Sequence, residues 1–229
     1  LVAGARGSGK TSLLSALMLE LPKSQRIITI EDTPELPVSS MQEGGYTVQP
    51  LLVEREARNG SELTPKDALS VSLRLGESSL VLGEVRGGEA RTLYEAMRAG
   101  SAGSSVLGTF HADSADGVMK RMVHDIGVSM GSFLATDIVV VSGLVRKAGS
   151  ANRSRSVVQI AEVEKSPASE AEVFRDLMRL EGTGRLSGSK ERISSSLSVD
   201  RIARKWRVDR SDIVQEIRFR GMVKKALVQ

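Results

Sequence analysis

The sequence predicts an α/β fold with a mostly parallel central sheet, a late antiparallel hairpin and a C-terminal helical appendage. Three observations predict this fold class. A glycine-rich loop at residues 4–11 separates a short apolar strand from a helix. Apolar strands then alternate with amphipathic helices up to residue 126, which is the pattern of a parallel sheet. Two later strands surround a basic loop at residues 147–155, as an antiparallel pair would.

The glycine-rich loop fits the pattern G-x-x-x-x-G-K-[ST], which binds phosphate. Its glycines let backbone N–H groups point at one anion, and the following helix adds the positive end of its dipole. We expect Lys10 to reach the β- and γ-phosphates of a nucleotide and the Thr11 hydroxyl to ligate Mg²⁺. The loop therefore predicts a nucleoside triphosphate site on a RecA-like sheet. The predicted binding residues are Gly4, Ala5, Arg6, Gly7, Ser8, Gly9, Lys10, Thr11 and Ser12.

The first elements are predicted from their apolar periodicity. Residues 1–3 are expected to end a buried strand that begins before the first residue of this sequence. Residues 12–21 are predicted to form a helix, which Pro22 ends because proline cannot continue it. A β-branched strand is predicted at residues 26–30, so the first β-α-β unit surrounds the phosphate loop.

The middle of the chain is less regular. Residues 36–66 have no steady period, so we expect loops there, with a hairpin as one interpretation of 46–54. A helix is predicted to begin at Thr64, with Pro65 in its first turn and Asp67 three residues after Thr64. The later elements are predicted strands at 79–83, 105–110, 138–141 and 157–163, and predicted helices at 88–99 and 115–126.

Changes in composition divide the chain into three parts. Residues 1–181 are predicted to form the RecA-like nucleotide-binding domain with a truncated first strand, and the Ser- and Gly-rich residues 182–198 a linker. Residues 199–229 are predicted to form a helical hairpin whose second helix begins at Asp209. This tail has a charge balance of +5, against +4 for the whole chain. The two alternative functions of this tail are DNA binding and packing on a partner subunit, and we favour packing.

The composition excludes several classes of site. The chain has no cysteine, so disulfides and thiolate metal sites are excluded. No apolar run approaches the roughly 18 residues that a membrane-spanning helix needs. With 40% hydrophobic but 3% aromatic residues, the core must consist of Leu, Val, Ile and Met. We expect a cytoplasmic protein that uses cellular ATP.

Two further apolar strands are followed directly by polar side chains that suit catalysis. The strand at 79–83 leads into Glu84, and the strand at 105–110 leads into His111. The carboxyl ends of parallel strands line the crevice where ligands bind in open α/β sheets. A carboxylate there can orient the attacking water or a water bound to Mg²⁺. The alternatives are a solvated glutamate at a strand end and a histidine with a purely structural role.

These elements together resemble the type II/IV secretion ATPase superfamily, whose members drive secretion, pilus assembly and retraction, conjugation and the archaeal swimming filament. In that family the phosphate loop is followed by an acidic "Asp box", a Walker B strand ending Gly-Glu-hydrophobic-Arg, and a "His box". Residues 30–35, 83–86 and 109–114 look like these three motifs, in the family's order and rough spacing. Residues 73–78 and 132–137 are similar to the archaeal branch.

The resemblance implies a role for each matching residue. Glu84 would orient or deprotonate the attacking water, and His111 would sense the γ-phosphate. Mg²⁺ would be ligated by Thr11, with Glu31 and Asp32 holding its hydration shell, and Glu31 could also assist the base. Several arginines would stabilise transition-state charge or contact a neighbouring subunit. These are Arg74, Arg86, Arg153 and Arg155.

By this resemblance the chain is identified as the ATPase domain of an archaeal secretion or pilus-assembly ATPase that uses ATP and Mg²⁺. The family implies a homo-oligomer, hexameric in the whole protein, that pushes on a polytopic membrane platform protein from the inner face of the membrane. One alternative is a RecA-like nucleic-acid translocase or helicase, which the scarcity of aromatic residues for base stacking disfavours. The other is a nucleotide-gated scaffold without turnover, which Glu84 disfavours. The sequence leaves open whether the machine secretes, extends or retracts a pilus, or turns a filament.

Overall fold

A computed structural model describes residues 1–54, 63–76, 78–100, 105–146, 152–182 and 184–228. Its strands are β1 (Val2–Gly4), β2 (Ile27–Glu31), β3 (Val48–Leu52), β4 (Ser79–Leu82), β5 (Ser105–Phe110), β6 (Ile138–Arg146), β7 (Arg153–Val163), β8 (Phe174–Leu180) and β9 (Leu186–Ser187). Its α-helices are α1 (Lys10–Met18), α2 (Val38–Glu43), α3 (Pro65–Ser72), α4 (Gly88–Arg98), α5 (Ala115–Lys120), α6 (Met130–Phe133), α7 (Lys190–Ser194), α8 (Leu197–Trp206) and α9 (Arg210–Val228).

The described strands form one mixed sheet in the order β3-β2-β4-β5-β1-β6-β7-β8-β9. All pairs from β3 to β6 are parallel, and all pairs from β6 to β9 are antiparallel. The predicted parallel sheet with a late antiparallel hairpin is therefore confirmed. The loop that carries the phosphate-binding pattern leaves β1 in the middle of this sheet, where neighbouring strand ends can converge on it.

The sheet has a hydrophobic core on each face. Val81 of β4 packs in a cluster with Leu14 and Met18 of α1, whereas Leu80 and Leu82 belong to the larger cluster. This division follows from the two-residue period of a strand, which sends successive side chains to opposite faces. The two layers of helices fix the sheet from both sides and leave the carboxyl ends of the parallel strands free for a site.

The hairpin interpretation of residues 46–54 is wrong. Residues 38–43 form the short helix α2, and β3 then pairs in parallel with β2 alone, at the edge of the described sheet. Pro50 is tolerated in β3 because an edge strand leaves one side unpaired, where a missing N–H costs no ladder bond. Residues 55–62, which also fall in the predicted loop, lie outside the described residues.

The helices follow their predicted start signals closely. Thr64 caps α3 by accepting a hydrogen bond from the Asp67 backbone N–H at 3.2 Å, as its sequence predicts. Ser114 caps α5 in the same way, through the Gly117 N–H. Beyond Lys120 the predicted helix continues as a π-helical turn, Arg121–Asp125. The short helix α6 was not predicted, because four residues carry too little periodicity.

The antiparallel part of the sheet is larger than predicted. β6 continues to Arg146, and β7 begins at Arg153 within the predicted basic loop, so Arg153 and Arg155 lie on β7. Residues 147–151 lie outside the described residues. β8 continues the sheet and had no sequence signal in our prediction. Residues 182–198 contain β9 and α7, so this segment is not an irregular linker over its whole length. The predicted C-terminal hairpin corresponds to α8 and α9.

Glu162 near the end of β7 anchors α8 to the sheet. Its side chain is 1% exposed, and its two oxygens accept hydrogen bonds from Arg175, the Ser196 hydroxyl and the Leu197 and Ser198 N–H groups at 2.7–2.9 Å. Burial alone would raise the pKa of Glu162, but these donors outweigh burial and lower that pKa from 4.5 to about 2. The carboxylate therefore satisfies the first N–H groups of α8, which have no partner within the helix.

Candidate nucleotide site

The phosphate loop leaves β1 and curls into the N-terminus of α1. Gly9 caps this helix in the left-handed region, with φ of 90°, which suits glycine. A Cβ at Gly4 would collide with the Ser8 hydroxyl and the Ser142 carbonyl. The Ser8 and Ser142 hydroxyls lie 2.9 Å apart, and the pairing of β6 with β7 is irregular between Val141 and Ser142. The loop is thus fastened to β6, a tertiary contact that the pattern alone does not contain.

Lys10 is the first residue of α1, and its side chain folds back over the loop. Its side chain is 8% exposed, and its Nζ donates to the Ala5 carbonyl at 3.1 Å. Burial and then the charge of Arg86 lower the pKa of Lys10, while the charge of Glu35 opposes them. A bound polyphosphate would reverse this cost, because an opposite charge favours the protonated form. The position of Lys10 fits its predicted contact with the β- and γ-phosphates.

The acidic segment after β2 meets the loop through Glu35. Thr11 Oγ1, the predicted metal ligand, donates to Glu35 Oε2 at 2.9 Å. Glu31 is buried and has a different contact, since its Oε1 accepts from the backbone N–H groups of Glu35 and Leu36 at 2.9 and 3.0 Å. Glu31 thereby shapes the turn that presents Glu35. Asp32 lines the same cleft, and its Oδ1 accepts from the Thr33 N–H at 3.0 Å.

Glu84 follows β4 and has one engaged and one unengaged oxygen. Oε2 accepts from the Arg86 guanidinium. Oε1 is buried and accepts no hydrogen bond from any described residue, although His111 Nε2 lies 3.0 Å away. The Arg86 backbone N–H in turn donates to the buried Glu89 at 2.7 Å, which fixes the turn after β4. A buried carboxylate oxygen that no protein donor contacts is costly, so it is a candidate acceptor for a reactant.

His111 lies between Glu84 and Lys10. Its Nδ1 is 3.5 Å from Lys10 Nζ, and its backbone oxygen accepts from Arg121. Burial, followed by the charges of Lys10, Arg86, Arg121 and Arg6, lowers the pKa of His111 below its usual 6.5. The ring is therefore neutral over a wider pH range. A neutral ring can accept from the Lys10 ammonium with Nδ1, while Nε2 lies within hydrogen-bond distance of Glu84 Oε1 but lacks the alignment of a hydrogen bond to it.

These groups line one open cleft of about 1100 Å³. Among the predicted site residues, the cleft is lined by Arg6, Gly7, Gly9, Lys10, Thr11, Ser12, Glu31, Asp32, Glu84, Arg86, His111 and Arg155. Gly4, Ala5 and Ser8 belong to the loop but do not line the cleft, and they support it from behind. Arg74 and Arg153 are exposed and do not line it, so their predicted role at a subunit contact stays a prediction.

A match to a family profile shows which protein family has this arrangement of site residues. The profile of the type II/IV secretion system protein family matches residues 1–214. The chain belongs to this family. The secretion family resemblance inferred from the four motifs is thus confirmed, and the match extends beyond those motifs into α8 and α9.

Individual relatives agree with this assignment. An uncharacterized protein of Methanocaldococcus jannaschii is 29% identical over 229 residues, which cover 96% of this chain and 78% of the relative. The type IV secretion system protein VirB11 of Brucella suis is 36% identical over 121 residues, or 53% of this chain and 32% of the relative. This chain therefore spans a third of that VirB11 protein.

Solved structures share the fold. The crystal structure of a VirB11 ATPase from Brucella suis, in complex with sulphate, has a TM-score of 0.53 at 27% identity, covering 70% of this chain and 48% of that one. The pilus retraction motor PilT with bound ADP has a TM-score of 0.51 at 25% identity, covering 68% of this chain and 45% of that one. The predicted RecA-like α/β fold is confirmed by these two secretion-family structures.

The secretion-family cleft fits a nucleotide with a divalent cation. Burial lowers the pKa values of Lys10 and His111, and basic side chains around the loop lower them further. The Thr11 hydroxyl and the carboxylates of Glu35, Glu31 and Asp32 could hold Mg²⁺ directly or through water, because Mg²⁺ prefers oxygen ligands and keeps several waters. Glu84 in the same cleft has an oxygen whose lone pairs no donor of the described residues fills.

Three contacts of this site were missed by sequence reasoning. Arg155 Nε donates to the Gly7 carbonyl at 2.9 Å, so β7 covers the phosphate loop. Gln159, on the same strand, accepts from the Ala115 N–H at 3.1 Å and so steadies the helix after His111. Arg121 has its guanidinium 5.3 Å from the Phe110 ring centre. No sequence signal could have found the contacts of Arg155 and Gln159, because they join segments that only the sheet topology brings together.

Proposed function

We propose that this chain is the ATP-hydrolysing domain of a motor that powers protein secretion or the assembly of a type IV pilus-like filament. One observation carries the proposal: the phosphate loop, Glu84 and His111 meet in a single cleft of a chain that belongs to the secretion family. VirB11 and PilT, which share its fold, are described as an ATPase and a pilus retraction motor. Their activities are the basis on which we assign ATP hydrolysis to this chain.

Each of the main residues of the cleft has its own role in the proposed reaction. Lys10 and the N–H groups at the start of α1 bind and orient the phosphates. Glu84 Oε1 accepts a hydrogen bond from the attacking water and takes its proton, because it is the carboxylate oxygen that no described donor occupies. Arg86 holds the other oxygen of Glu84 and aims the carboxylate. Thr11 and the neighbouring acidic side chains would hold Mg²⁺, which would supply charge neutralisation at the phosphates.

His111 couples the γ-phosphate to the catalytic carboxylate. It lies between Lys10 and Glu84, at 3.5 and 3.0 Å, and its lowered pKa keeps the ring neutral. A neutral ring can exchange one hydrogen-bond partner for another when the γ-phosphate leaves, without the cost of moving a buried charge. In the assembled protein we infer that this change passes to neighbouring subunits of a homo-oligomer, a hexamer by analogy with the family.

The same proposal names partners and location. We infer that the whole protein acts at the inner face of the membrane on a polytopic platform protein, as a ring whose conformational changes move that partner. Arg74 and Arg153 are exposed on this chain and are available to a neighbouring subunit, where an arginine can stabilise transition-state charge. Light scattering of the whole protein with and without Mg-ATP tests the ring: a monomer under both conditions would contradict it.

The experiment on the chemistry is steady-state phosphate release from Mg-ATP by the wild type and by Glu84→Gln. The amide keeps the shape of the side chain but cannot take a proton, so turnover should fall roughly 10²- to 10⁴-fold. ATP affinity should stay within about threefold of wild type, because the phosphate contacts are unchanged. Full activity in Glu84→Gln would remove Glu84 from the reaction. Stimulation of turnover by single-stranded DNA would instead favour a nucleic-acid motor.

A further inference from the structure

The second half of α9 carries an exposed apolar stripe. Phe219, Met222, Val223 and Leu227 are 58%, 64%, 42% and 80% exposed, and Ala226 is exposed with them. Their spacing from Phe219 is i, i+3, i+4, i+7 and i+8, so the five side chains share one face of the helix. We name this face the α9 stripe. Large apolar side chains gathered on an exposed face mark an interaction site more often than scattered ones do.

Cations border the α9 stripe on both sides. At 100° per residue, Arg218 and Lys225 lie along one edge of the stripe, and Arg220 and Lys224 lie along the other. The segment 217–229 has no acidic residue, and its four cations equal the formal net charge of the whole chain, +4. The stripe and its borders therefore present one apolar face framed by positive charge.

Two of the four cations have ion pairs, and that of Lys224 joins α9 to another element. Lys224 pairs with Glu20, which follows α1, and Arg220 pairs with Glu216 at 2.7 Å. Arg218 and Lys225 have no ion pair with any of the described residues. The contact at Glu20 ties α9 to the nucleotide-binding part of the chain, while the stripe and its Arg218–Lys225 edge remain available to a partner.

The charge pattern decides between occupants of the stripe. A second copy that paired through the same face would set cationic borders against cationic borders, which is unfavourable. Nucleic acid would use the cations but would leave the exposed apolar side chains in water. An anionic lipid surface suits both features, because apolar side chains enter the acyl boundary while Lys and Arg reach the headgroup phosphates.

We propose that the second half of α9 binds the surface of an anionic membrane, lying in the plane of the interface with the α9 stripe inserted. No helix of the described residues has the length and apolar content to cross a bilayer. The inference rests on α9 alone and goes beyond the proposed ATPase activity, which needs neither the stripe nor its borders. It gives the chain its own lipid contact, separate from any protein partner in the membrane.

The test is co-sedimentation of the chain with vesicles of phosphatidylcholine containing phosphatidylglycerol, and with vesicles of phosphatidylcholine alone. We expect binding to the anionic vesicles that weakens with salt, and little binding to the neutral ones. Replacing Phe219, Met222 and Leu227 together by serine should weaken binding by about 100-fold, because the apolar insertion is lost. Ile217→Ser is the matched control, since Ile217 is 50% exposed on the opposite side of the helix.

A second pair of variants tests the charged border. Changing Arg218 and Lys225 together to serine should weaken binding to anionic vesicles about 30-fold, because the loss of each cation lowers the affinity about fivefold. The control changes Lys66 and Arg98, which are exposed elsewhere, and should bind as wild type. Circular dichroism of each variant confirms that α9 is still folded.

Several results would overturn the proposal. Equal binding to neutral and anionic vesicles would do so, and so would wild-type binding by the triple serine variant. Self-association that the triple variant abolishes, without vesicle binding by wild type, would assign the stripe to a second copy instead. The variant Lys10→Ala separates this proposal from the ATPase assignment, because it should lose nucleotide and still bind anionic vesicles.

Discussion

Two glutamates near strand ends, Glu84 after β4 and Glu162 at the end of β7, differ in how their oxygens are used. The Glu162 side chain is 1% exposed and accepts from four donors. The Glu84 side chain is 15% exposed, and its buried Oε1 accepts from no described residue. A satisfied buried carboxylate stabilises the fold, whereas an unsatisfied one costs stability.

The difference shows where this chain places its chemistry. A carboxylate that four donors surround is held charged and cannot take a proton near neutral pH, as the pKa of about 2 for Glu162 indicates. Glu84 keeps an oxygen for a proton or a water. Residues that break local rules without an evident structural gain are expected at functional sites. The contrast supports a structural role for the carboxylate at the end of β7 and the proposed catalytic role for the one after β4.

The largest stability effect is expected for Glu162→Gln. The amide places a donor against the Leu197 and Ser198 N–H groups and leaves Arg175 without its buried partner. We expect the free energy of unfolding at pH 7 to fall by about 3 kcal/mol, as the shift of the pKa from 4.5 to about 2 implies. Denaturant unfolding measures this loss, and ATP turnover by the folded protein should stay within about twofold of wild type.

The pH dependence of stability checks the same assignment. A lowered pKa stabilises the folded state above the unfolded value of 4.5, and this stability is lost as the pH falls toward 2. Unfolding free energy should therefore fall more steeply for wild type than for Glu162→Gln in this window. Parallel curves for the two proteins would mean that Glu162 is not held charged by its donors. A large loss of turnover in Glu162→Gln would break the separation between the two regions.

A smaller effect is expected from the acidic segment. Glu35→Gln weakens the acceptor of Thr11 Oγ1 and removes a charge near the proposed Mg²⁺ site, so we expect turnover to fall about tenfold and to recover partly at higher Mg²⁺. Glu31→Gln retains an oxygen for the Glu35 and Leu36 N–H groups and should lose about threefold. Phosphate release measured over a series of Mg²⁺ concentrations distinguishes the two variants.

The opposite ranking would be informative. If Glu31→Gln lost more activity than Glu35→Gln and more Mg²⁺ restored it, Glu31 rather than Glu35 would hold the hydration shell of the metal, as the family resemblance implies. If Glu31→Gln were inactive while Glu84→Gln were nearly wild type, the base would be Glu31. The first result would move the carboxylate that serves the metal from Glu35 to Glu31, at the end of β2. The second would overturn the catalytic half of the comparison between Glu84 and Glu162.

Local signals in the sequence predicted the fold class and most of the cleft. The phosphate loop, Glu84 and His111 each follow an apolar strand, and strand ends in a parallel sheet converge on one edge. The Thr64 cap of α3 was predicted because its donor lies three residues away. These features need only neighbouring residues, so they are visible before any tertiary structure is known.

The features of the fold and site that the sequence did not predict depend on contacts between distant segments. Three hydrogen bonds join residues more than thirty positions apart, and the periodicity of the sequence does not reveal them. They are Ser8 with Ser142, Arg155 with the Gly7 carbonyl, and Ser196 with Glu162. β3 was mistaken for part of a hairpin because an edge strand in a parallel sheet and a hairpin strand have the same short apolar pattern. β8 alternates too weakly to be recognised, and the strands beside it define it.

The most direct test of the central claim is a calorimetric titration of Mg-ATP into the wild type and into Lys10→Ala. Lys10 places its charge at the centre of the phosphate loop and contacts the Ala5 carbonyl, so its loss should remove detectable binding and leave the thermal unfolding midpoint of the nucleotide-free protein close to wild type. The account predicts heat of binding in the wild type and none in the variant. Unchanged ATP affinity in a folded Lys10→Ala would show that this cleft is not the nucleotide site.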